Sequence, residues 1–396
     1  MVSVEEAESI ILANLFKPKI STLAIEHAEG YVLAEPIYAD RDFPPFNRVA
    51  MDGIALCYES FHKGQRTFFL EGIQAAGQPS QKLQQENNAI EVMTGAMLPD
   101  GSDLVIRYED LEIKNGVAQI LIEAIEPNQN IHPQGQDCRK GDLLLSAGIR
   151  MSPAEIALLA AVGKSQVNVF QLPKTVIIST GDELIDLNVP PLPWQIRRSN
   201  AYALQGAFKQ MNHRADQIHI SDNKDLLKSE LKKVFENYEL IILSGGVSKG
   251  KYDFVPDTLE QLGVEKLFHQ ISQKPGKPLW FGKSNSHTIF ALPGNPVSTY
   301  MCFYRYIKPW LERSTGITTD KKFAILNSAF AFKPSLTYFL QVKIMNEHGR
   351  LMAYPDAGGG SGDLANLKDV DGFLELPLDK ITFKAGEIFP YYSFRS

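Results

Sequence analysis

The chain alternates short apolar runs with polar segments that contain glycine, proline and asparagine, and the period of this alternation differs between regions. Between about residues 170 and 316, three apolar β-type runs each stop at a glycine-rich loop, at 174–180, 239–243 and 287–292. Helices are predicted between and after these runs, at 200–211, 224–237, 253–262 and 297–311. Buried strands that alternate with helices are typical of a doubly wound sheet, whose ligand lies at the carboxyl ends of the strands. This region is therefore predicted to be a three-layer α/β/α ligand-binding domain.

The N-terminal third of the chain carries two helix-start signals with a β-like region between them. The sequence Ser3-Val4-Glu5-Glu6 has capping-box spacing and predicts an amphipathic helix to about residue 16. Extended chain with turns follows and ends in a rigid Pro-Pro loop. A second capping box at 152–155 starts another helix. The order of these elements suggests that the β-rich block is an insertion within a helical and extended N-terminal domain.

The last 75 or so residues return to a strand-like pattern, with alternating runs at 338–344, 372–376 and 387–391. They predict a compact C-terminal β-barrel-like domain. Four domains are thus expected: a discontinuous N-terminal domain (1–47 and 131–169), a β-rich insertion (48–130), the α/β domain (170–318) and the C-terminal β domain (319–396).

The composition and charge of the chain argue against several classes of function. The chain has 396 residues, 44% of them hydrophobic and 22% charged, and a formal net charge of −6. Because nucleic-acid and anionic-membrane binders need a basic face, this balance argues against both classes. The three cysteines lie far apart, which fits a reducing compartment. The acidic N-terminus does not resemble a signal peptide, and no apolar run is long enough to span a bilayer. A cytoplasmic protein is expected.

The candidate chemistry lies in the loops that follow the predicted α/β strands. Glycines there let the main chain approach a ligand, and successive N–H groups suit an anion such as phosphate. Lys274-Pro275-Gly276-Lys277-Pro278 places two cations beside a flexible glycine, and its position before another strand favours a phosphate clamp over a plain surface turn. Asp182 and Glu183 follow the first strand, and carboxylates there could hold Mg²⁺ against a phosphate.

Each signal also has a simpler interpretation. Asp222 and Asp253 could be helix caps, and the motifs around Asp52 and Thr94 could be tight turns. The glycines before Ser361 could form a mobile hairpin tip. The histidines lack zinc-site spacing, and neither a P-loop nor a G-x-S-x-G motif is present. The residues alone therefore indicate a multidomain α/β protein that binds an anionic, phosphorylated small molecule, without naming the reaction.

Six motifs in register resemble the molybdopterin molybdenumtransferase family, which includes MoeA, the E domain of gephyrin and its plant counterpart. The motifs are Asp42-Phe43-Pro44-Pro45-Phe46 with Ala50-Met51-Asp52-Gly53, Met93-Thr94-Gly95-Ala96-Met97-Leu98-Pro99, Ser179-Thr180-Gly181-Asp182-Glu183-Leu184, Ser244-Gly245-Gly246-Val247-Ser248, Lys274-Pro275-Gly276-Lys277-Pro278 and Leu292-Pro293-Gly294-Asn295-Pro296-Val297-Ser298. The resemblance covers the chain end to end and is weakest in the last 75 or so residues.

This resemblance implies a transferase of molybdenum cofactor biosynthesis. Such an enzyme inserts molybdate into adenylylated molybdopterin with Mg²⁺ and releases AMP. The family likeness also implies an elongated homodimer with its active cleft shared between subunits, and a transient contact with molybdopterin adenylyltransferase.

The resemblance further implies site residues by motif. The catalytic residues would be Asp52, Glu183, Asp222 and Asp253, and the last three would be the candidate Mg²⁺ ligands. The substrate-binding residues would be Thr94, Thr180, Gly181, Asp182, Ser199, Ser244, Gly245, Gly246, Ser248, Lys274, Gly276, Lys277, Pro293, Gly294, Asn295, Pro296, Ser298 and Ser361.

Three positions depart from the family pattern. Arg198 stands before Ser199 where the family often has an acid, Gln270 stands where a lysine is common, and Gln134 stands where an arginine is common. Arg198 could restore positive charge from another direction, or the changes could belong to a tungsten-preferring paralogue. Two other functions stay open: an adenylyltransferase or nucleotide pyrophosphatase built on the same α/β domain, and a non-catalytic scaffold.

Overall fold

The computed structural model describes residues 1–247, 253–318 and 320–395. The chain divides into two compact units, one formed by Met1–Glu35, Ala147–Pro153 and Gln166–Ser396, the other by Pro36–Ser146 and Ala154–Ser165. Within the described ranges, no helix is both long and apolar enough to cross a membrane.

The α-helices lie mainly in the α/β region. They are α1 (Val4–Leu12), α2 (Tyr58–His62), α3 (Pro153–Ala161), α4 (Ser199–Lys209), α5 (Lys224–Asn237), α6 (Val255–Gln261), α7 (Pro296–Cys302) and α8 (Lys308–Ser314). A π-helical stretch, Phe303–Ile307, joins α7 to α8, so the helix predicted at 297–311 is one helical run with a wider turn in its middle.

The strands follow in chain order. Up to residue 150 they are β1 (Lys19–Ala24), β2 (Ile37–Tyr38), β3 (Arg48–Val49), β4 (Gly53–Leu56), β5 (Thr67–Gln74), β6 (Asn88–Val92), β7 (Leu104–Arg107), β8 (Leu111–Lys114), β9 (Val117–Ile120), β10 (Ile131–His132) and β11 (Leu143–Leu145). In the α/β region they are β12 (Gln166–Gln171), β13 (Thr175–Thr180), β14 (Leu184–Ile185), β15 (Ile196–Arg197), β16 (Ala215–Ile220), β17 (Leu240–Ser244), β18 (Glu265–His269), β19 (Gln273–Lys274), β20 (Trp280–Lys283) and β21 (Thr288–Leu292). The last are β22 (Lys322–Leu326), β23 (Phe330–Ala331), β24 (Thr337–Glu347), β25 (Arg350–Pro355), β26 (Gly372–Leu376), β27 (Thr382–Phe383) and β28 (Ile388–Ser393).

The central sheet has the order β16-β13-β17-β21-β20-β18, and its first four strands run parallel. Its inner strands β13, β17 and β21 are buried almost throughout because helices cover both faces of the sheet. Ile177 and Ile242 point to a core shared with α4, α7 and α8, whereas their neighbours Val176 and Ile241 point to a core shared with α5 and α6. This alternation confirms the predicted three-layer α/β/α fold.

The C-terminal strands close into a small barrel. β24 pairs with both β25 and β26, and the order β25-β22-β28-β26 completes the ring. Leu340, Leu374 and Phe383 fill its interior. β19 pairs with β24 through Gln273 and Thr337. Because β19 contains Lys274, the start of the predicted phosphate clamp is joined to the barrel. The predicted barrel-like C-terminal fold is confirmed.

The second unit is built on a mixed sheet of the order β7-β4-β6-β5-β9-β8. β4 is buried along its whole length because Ile54 and Leu56 pack into one core while Ala55 packs into another. The short pairs β2–β11 and β3–β10 also lie in this unit. Its β-rich character agrees with the sequence pattern, and the four domain boundaries given above remain predictions.

Candidate functional site

The loops that follow β13 and β17 lie side by side where the strand order of the sheet reverses. From β13 the chain crosses through α4 to β16 on one side, and then through α5 to β17 on the other side. A crevice forms at such a switch point, outside the carboxyl ends of the strands. Because Ser179 is in register with Ser244, the loops that begin at Gly181 and Gly245 open into the same crevice.

Glycine is required where these two loops meet. Gly245 and Gly246 have φ values of 102° and 67°, which glycine adopts without steric cost. A Cβ atom on Gly245 would lie 2.8 Å from the Thr180 carbonyl oxygen, and one on Gly246 would lie 3.0 Å from Thr180 Oγ1. The predicted Ser248 lies outside the described residues.

Acidic side chains gather at this crevice. Asp182 Oδ1 accepts a hydrogen bond of 3.0 Å from the Asp222 N–H, and the Glu183 carboxylate folds back over Gly181, within 2.6 Å of where a Cβ would stand. Burial raises the pKa of the Asp222 carboxyl above its ordinary value, and the charges of Asp182, Glu183 and Asp253 raise that pKa further. A pKa shifted by both burial and like charges is typical of a functional site.

Thr180 brings an unsatisfied hydroxyl to the same place. The residue is 7% exposed, and its Oγ1 has no hydrogen-bond partner among the described residues. With Asp222 and Asn223 it lines a small cavity of about 10 Å³. Because leaving a buried polar atom unpaired costs about 1–3 kcal/mol, the unpaired hydroxyl indicates a position that a ligand completes.

The chemistry of these donors suits Mg²⁺, which prefers carboxylate oxygen. The described residues nevertheless contain no group of three His, Cys, Asp or Glu side chains arranged to hold a metal. Mg²⁺ commonly binds through one or two carboxylates together with substrate phosphates and water. An ion at Glu183, Asp222 and Asp253 would therefore need oxygens of a phosphorylated ligand and of water to complete its coordination.

Asn200 connects two of the predicted substrate-binding segments, the loop that begins at Ser244 and the Pro293–Ser298 motif. Its Nδ2 donates to Ser244 Oγ at 3.0 Å, to the Gly294 carbonyl at 2.7 Å and to Thr299 Oγ1 at 3.3 Å. Asn200 lies in the first turn of α4, directly after Ser199, and this position brings its amide to the crevice. Asn200 was not among the predicted site residues. Its place directly after the predicted Ser199 was the sequence signal that could have identified it.

The Pro293–Ser298 motif is held from both sides. Thr299 Oγ1 donates to the Pro293 carbonyl at 2.5 Å. From the C-terminal region, Ser361 accepts a hydrogen bond of 2.8 Å from Asn295 Nδ2 and offers its carbonyl to Val297 N at 3.1 Å. The segment that contains Ser361 therefore packs on the motif and is not a free hairpin tip. Pro296 begins α7, and Ser298 is buried in it.

The lysine motif lies on a buried floor. Lys274 and Lys277 are exposed, whereas Gly276 between them is buried and has a φ of 89°. A Cβ on Gly276 would lie within 2.9 Å of atoms of Gln273, Met301 and Cys302. Only glycine fits at this position, so the loop can present both lysines on its outer side.

Asp52 and Thr94 lie in the second unit and contact each other. Asp52 Oδ1 accepts hydrogen bonds from Thr94 N at 2.6 Å and from Thr94 Oγ1 at 2.9 Å. These bonds hold the pKa of the exposed Asp52 carboxyl below its ordinary value. The two residues, predicted from separate motifs, thus form one anionic, hydrogen-bonded pair.

The three departures from the family pattern are engaged in local contacts. Arg198 forms an ion pair with Asp186, so its charge is already balanced. Gln134 donates from Nε2 to Asp42 at 2.9 Å and holds the Pro-Pro loop within the second unit. Gln270 adopts a φ of 75° and accepts a backbone hydrogen bond from Val2.

A larger cleft of about 1320 Å³ lies at the other edge of the central sheet, where its parallel strands begin. Thr175, His213 and Glu239 are among its lining residues. None of the predicted site residues lines it. Its size alone does not make it the reaction site, since the motif loops, the crowded carboxylates and the unpaired hydroxyl all lie at the opposite edge.

Comparison with known proteins identifies the family of the chain. Residues 2–163 match the "MoeA N-terminal region (domain I and II)", residues 176–313 the "Probable molybdopterin binding domain" and residues 324–394 the "MoeA C-terminal region (domain IV)". A molybdopterin molybdenumtransferase of Synechocystis sp. is 39% identical over 398 residues, covering 99% of this chain and 100% of that protein. The chain belongs to the molybdopterin molybdenumtransferase family.

Other members of the family extend the comparison. A molybdopterin molybdenumtransferase of Haemophilus influenzae is 32% identical over 327 residues, covering 81% of this chain and 80% of that protein. The crystal structure of the molybdopterin biosynthesis MoeA protein from Pyrococcus horikoshii has a TM-score of 0.85 and 31% identity, with each chain covered completely. The family predicted from the motifs, and its multidomain fold, are thereby confirmed.

Proposed function

We propose that this chain is a molybdopterin molybdenumtransferase that inserts molybdate into adenylylated molybdopterin and releases AMP. Family membership along the whole chain supports the reaction class. The observation that carries the proposal is the crevice at the switch point, where Asn200 joins the Ser244 and Gly294 loops beside the acidic residues. A phosphorylated ligand suits such a crevice because glycine loops and a strand-end opening receive its phosphates.

The acidic residues would act on the phosphate end of the substrate. Glu183, Asp222 and Asp253 would hold Mg²⁺, which when bound would offset negative charge that builds on the phosphoryl oxygens as the pyrophosphate link breaks. Lys274 and Lys277 would hold phosphate or molybdate from the exposed side of their loop. Thr180 Oγ1, which is unpaired among the described residues, would donate to a ligand oxygen.

Three further features of the proposal rest on the family likeness. We expect a homodimer, a cytoplasmic location and a transient contact with the adenylyltransferase that supplies the substrate. Asp52 and Thr94 are expected to contribute to substrate binding as one unit, since they share two short hydrogen bonds. Replacing either should therefore remove the same contribution.

The test is AMP release from adenylylated molybdopterin in the presence of Mg²⁺, with molybdate, tungstate or neither. Molybdate-dependent release supports the proposal, and release only with tungstate would assign a tungsten preference. Consumption of ATP with unmodified molybdopterin would instead identify an adenylyltransferase. If no oxyanion promotes release, the proposed reaction is wrong.

A further inference from the structure

A buried glutamine lies directly beneath the exposed lysine loop. Gln273 is 0% exposed, and its Nε2 donates to the Gly276 carbonyl at 3.0 Å. The same amide nitrogen lies 3.7 Å from Cys302 Sγ. The Gly276 carbonyl, which lies between the two lysines in sequence, is therefore held by the fully buried Gln273 side chain.

The glutamine is itself held from the other side. Tyr306, which is buried, donates its hydroxyl to Gln273 Oε1 at 2.5 Å. Tyr306 lies in the π-helical stretch Phe303–Ile307, and π-helical turns within α-helices are frequent at functional sites. A chain of hydrogen bonds therefore runs from this stretch through Gln273 to the loop.

Burying these polar groups is not needed for packing alone. The surrounding core includes Met301, Cys302 and Phe303, and the buried Arg305 guanidinium lies over the Tyr306 ring, 5.1 Å from its centroid. Apolar side chains of similar volume would fill the same space, whereas a fully satisfied buried polar network selects one arrangement of the groups it joins. Here the arrangement selected is that of the Gly276 carbonyl, and with it the directions in which the flanking lysines leave the loop.

We propose that Gln273 and Tyr306 are positioning residues that set the lysine loop for binding its anion. This rests on the proposed function insofar as the anion is molybdate or the phosphate of the substrate. The hydrogen bonds hold the loop in its binding arrangement before the ligand arrives, so binding does not have to order it.

The experiment compares Tyr306→Phe and Gln273→Met with the control Tyr304→Phe. Tyr304 lies in the same π-helical stretch, is 5% exposed and donates its hydroxyl to Gln210 at 3.1 Å, away from the loop. Each tyrosine variant thus loses one hydrogen bond to a glutamine, fully buried at Tyr306 and partly buried at Tyr304. Turnover gives kcat and KM for molybdate, and calorimetric titration with inorganic molybdate or AMP gives Kd without turnover. Lys274→Ala serves as the reference for loss of the cation.

Tyr306→Phe and Gln273→Met should raise the KM and Kd for the bound anion about five- to tenfold, as expected for the loss of one positioning hydrogen bond. Their kcat should stay within about twofold, because ground-state and transition-state binding weaken together. Tyr304→Phe should leave KM and Kd unchanged while lowering thermal stability somewhat less, because its hydrogen bond is only partly buried. Equal effects of the two tyrosine variants on Kd would reduce the pair to a structural role and overturn the proposal.

Failure of the proposed reaction is distinguishable from failure of this inference. If the wild type binds molybdate or AMP but releases no product, only the reaction is wrong, and the Kd comparison still decides the positioning role. If Lys274→Ala weakens binding while Tyr306→Phe and Gln273→Met do not, the positioning role is wrong. If the wild type binds neither anion, both are wrong.

Discussion

The two ends of strand β13 carry the same residue type in opposite states. At the amino end, Thr175 Oγ1 donates to the Pro173 carbonyl at 2.7 Å and lies 2.8 Å from His213 Nε2. At the carboxyl end, Thr180 Oγ1 is buried without a partner among the described residues. The contrast extends beyond the strand: Glu239, at the amino edge, pairs with Lys19 at 2.7 Å, whereas Asp222, at the carboxyl edge, faces other carboxylates.

This difference separates the polar groups that stabilise the sheet from those that serve its activity. Groups at the amino edge satisfy each other and so contribute to the free energy of unfolding. At the carboxyl edge the described carboxylates repel each other and Thr180 Oγ1 lacks a partner among the described residues, an arrangement that costs stability in the free protein and that a cation or a ligand oxygen would relieve. Changes at the carboxyl edge should therefore affect activity, and changes at the amino edge should affect stability.

The largest effect is expected from removing a carboxylate at the carboxyl edge. Glu183→Gln should lower kcat for AMP release about 10²–10³-fold, the usual cost of losing one group that stabilises transition-state charge. Glu239→Gln is the matched control at the amino edge. It should leave kcat unchanged and lower the free energy of unfolding by less than about 1 kcal/mol, because its pair with Lys19 is largely exposed. Steady-state kinetics and urea denaturation measure the two quantities; a similar kcat for both variants would contradict the division between the edges.

The next effect tests whether Asn200 organises the crevice. Asn200→Ala removes the donor shared by Ser244, Gly294 and Thr299, and kcat/KM for AMP release should fall about 30- to 100-fold, or roughly 2–3 kcal/mol. The control is Gln205→Ala on the same helix, whose Nε2 donates to the Ala215 carbonyl at the amino edge, at 2.9 Å. It should lower the melting temperature without changing kcat/KM. Equal losses of activity would show that general loosening of α4, and not the amide at the crevice, is responsible.

Local sequence patterns were sufficient for much of this edge. The apolar run ending at Thr180 and the amphipathic pattern of α5 have periods that do not depend on distant residues, and α5 begins and ends where predicted. The glycine loops were also recognisable from the sequence. The structure gives the reason for these glycines, since Gly245 and Gly246 have backbone conformations and close contacts that other residues do not tolerate.

Contacts between distant segments were not recognisable in this way. Gln273 and Tyr306 are 33 positions apart, and no local pattern places an amide beneath the lysine loop. The sequence left open that Asp222 is a helix cap, but Asn223 caps α5 by accepting from Leu226 N at 3.0 Å. Asp222 is thereby left at the crevice. Two adjacent polar residues can thus have different roles, because only one of them caps the helix.

A smaller effect distinguishes the edges by pH. Burial lowers the pKa of His213 from 6.5 to about 4. The unfolded state therefore takes up a proton first, so the stability from burying the neutral imidazole is complete above pH 6.5 and is lost as the pH falls toward about 4. After allowance for partial exposure, the loss is on the order of 1.5–2 kcal/mol. Urea denaturation at pH 7 and pH 5 should show a steeper fall for wild type than for His213→Gln; parallel curves would mean that the imidazole is not buried in solution.

The smallest effect should have the opposite sign. Because the pKa of Asp222 is raised from its ordinary 3.8 by burial and then by neighbouring carboxylates, its ionised form is less favourable in the folded than in the unfolded protein. Its stabilising contribution is complete below pH 3.8 and is lost as the pH rises through the folded pKa. Asp222→Asn should therefore increase the free energy of unfolding at pH 7, by less than about 1 kcal/mol because the group is partly solvated, while lowering AMP release. Added Mg²⁺ should stabilise the wild type more than the variant, since the carboxylate that the ion would neutralise is gone. A variant that is both less stable and less active would place Asp222 among the groups that hold the sheet together, and the distinction between the two edges would no longer hold.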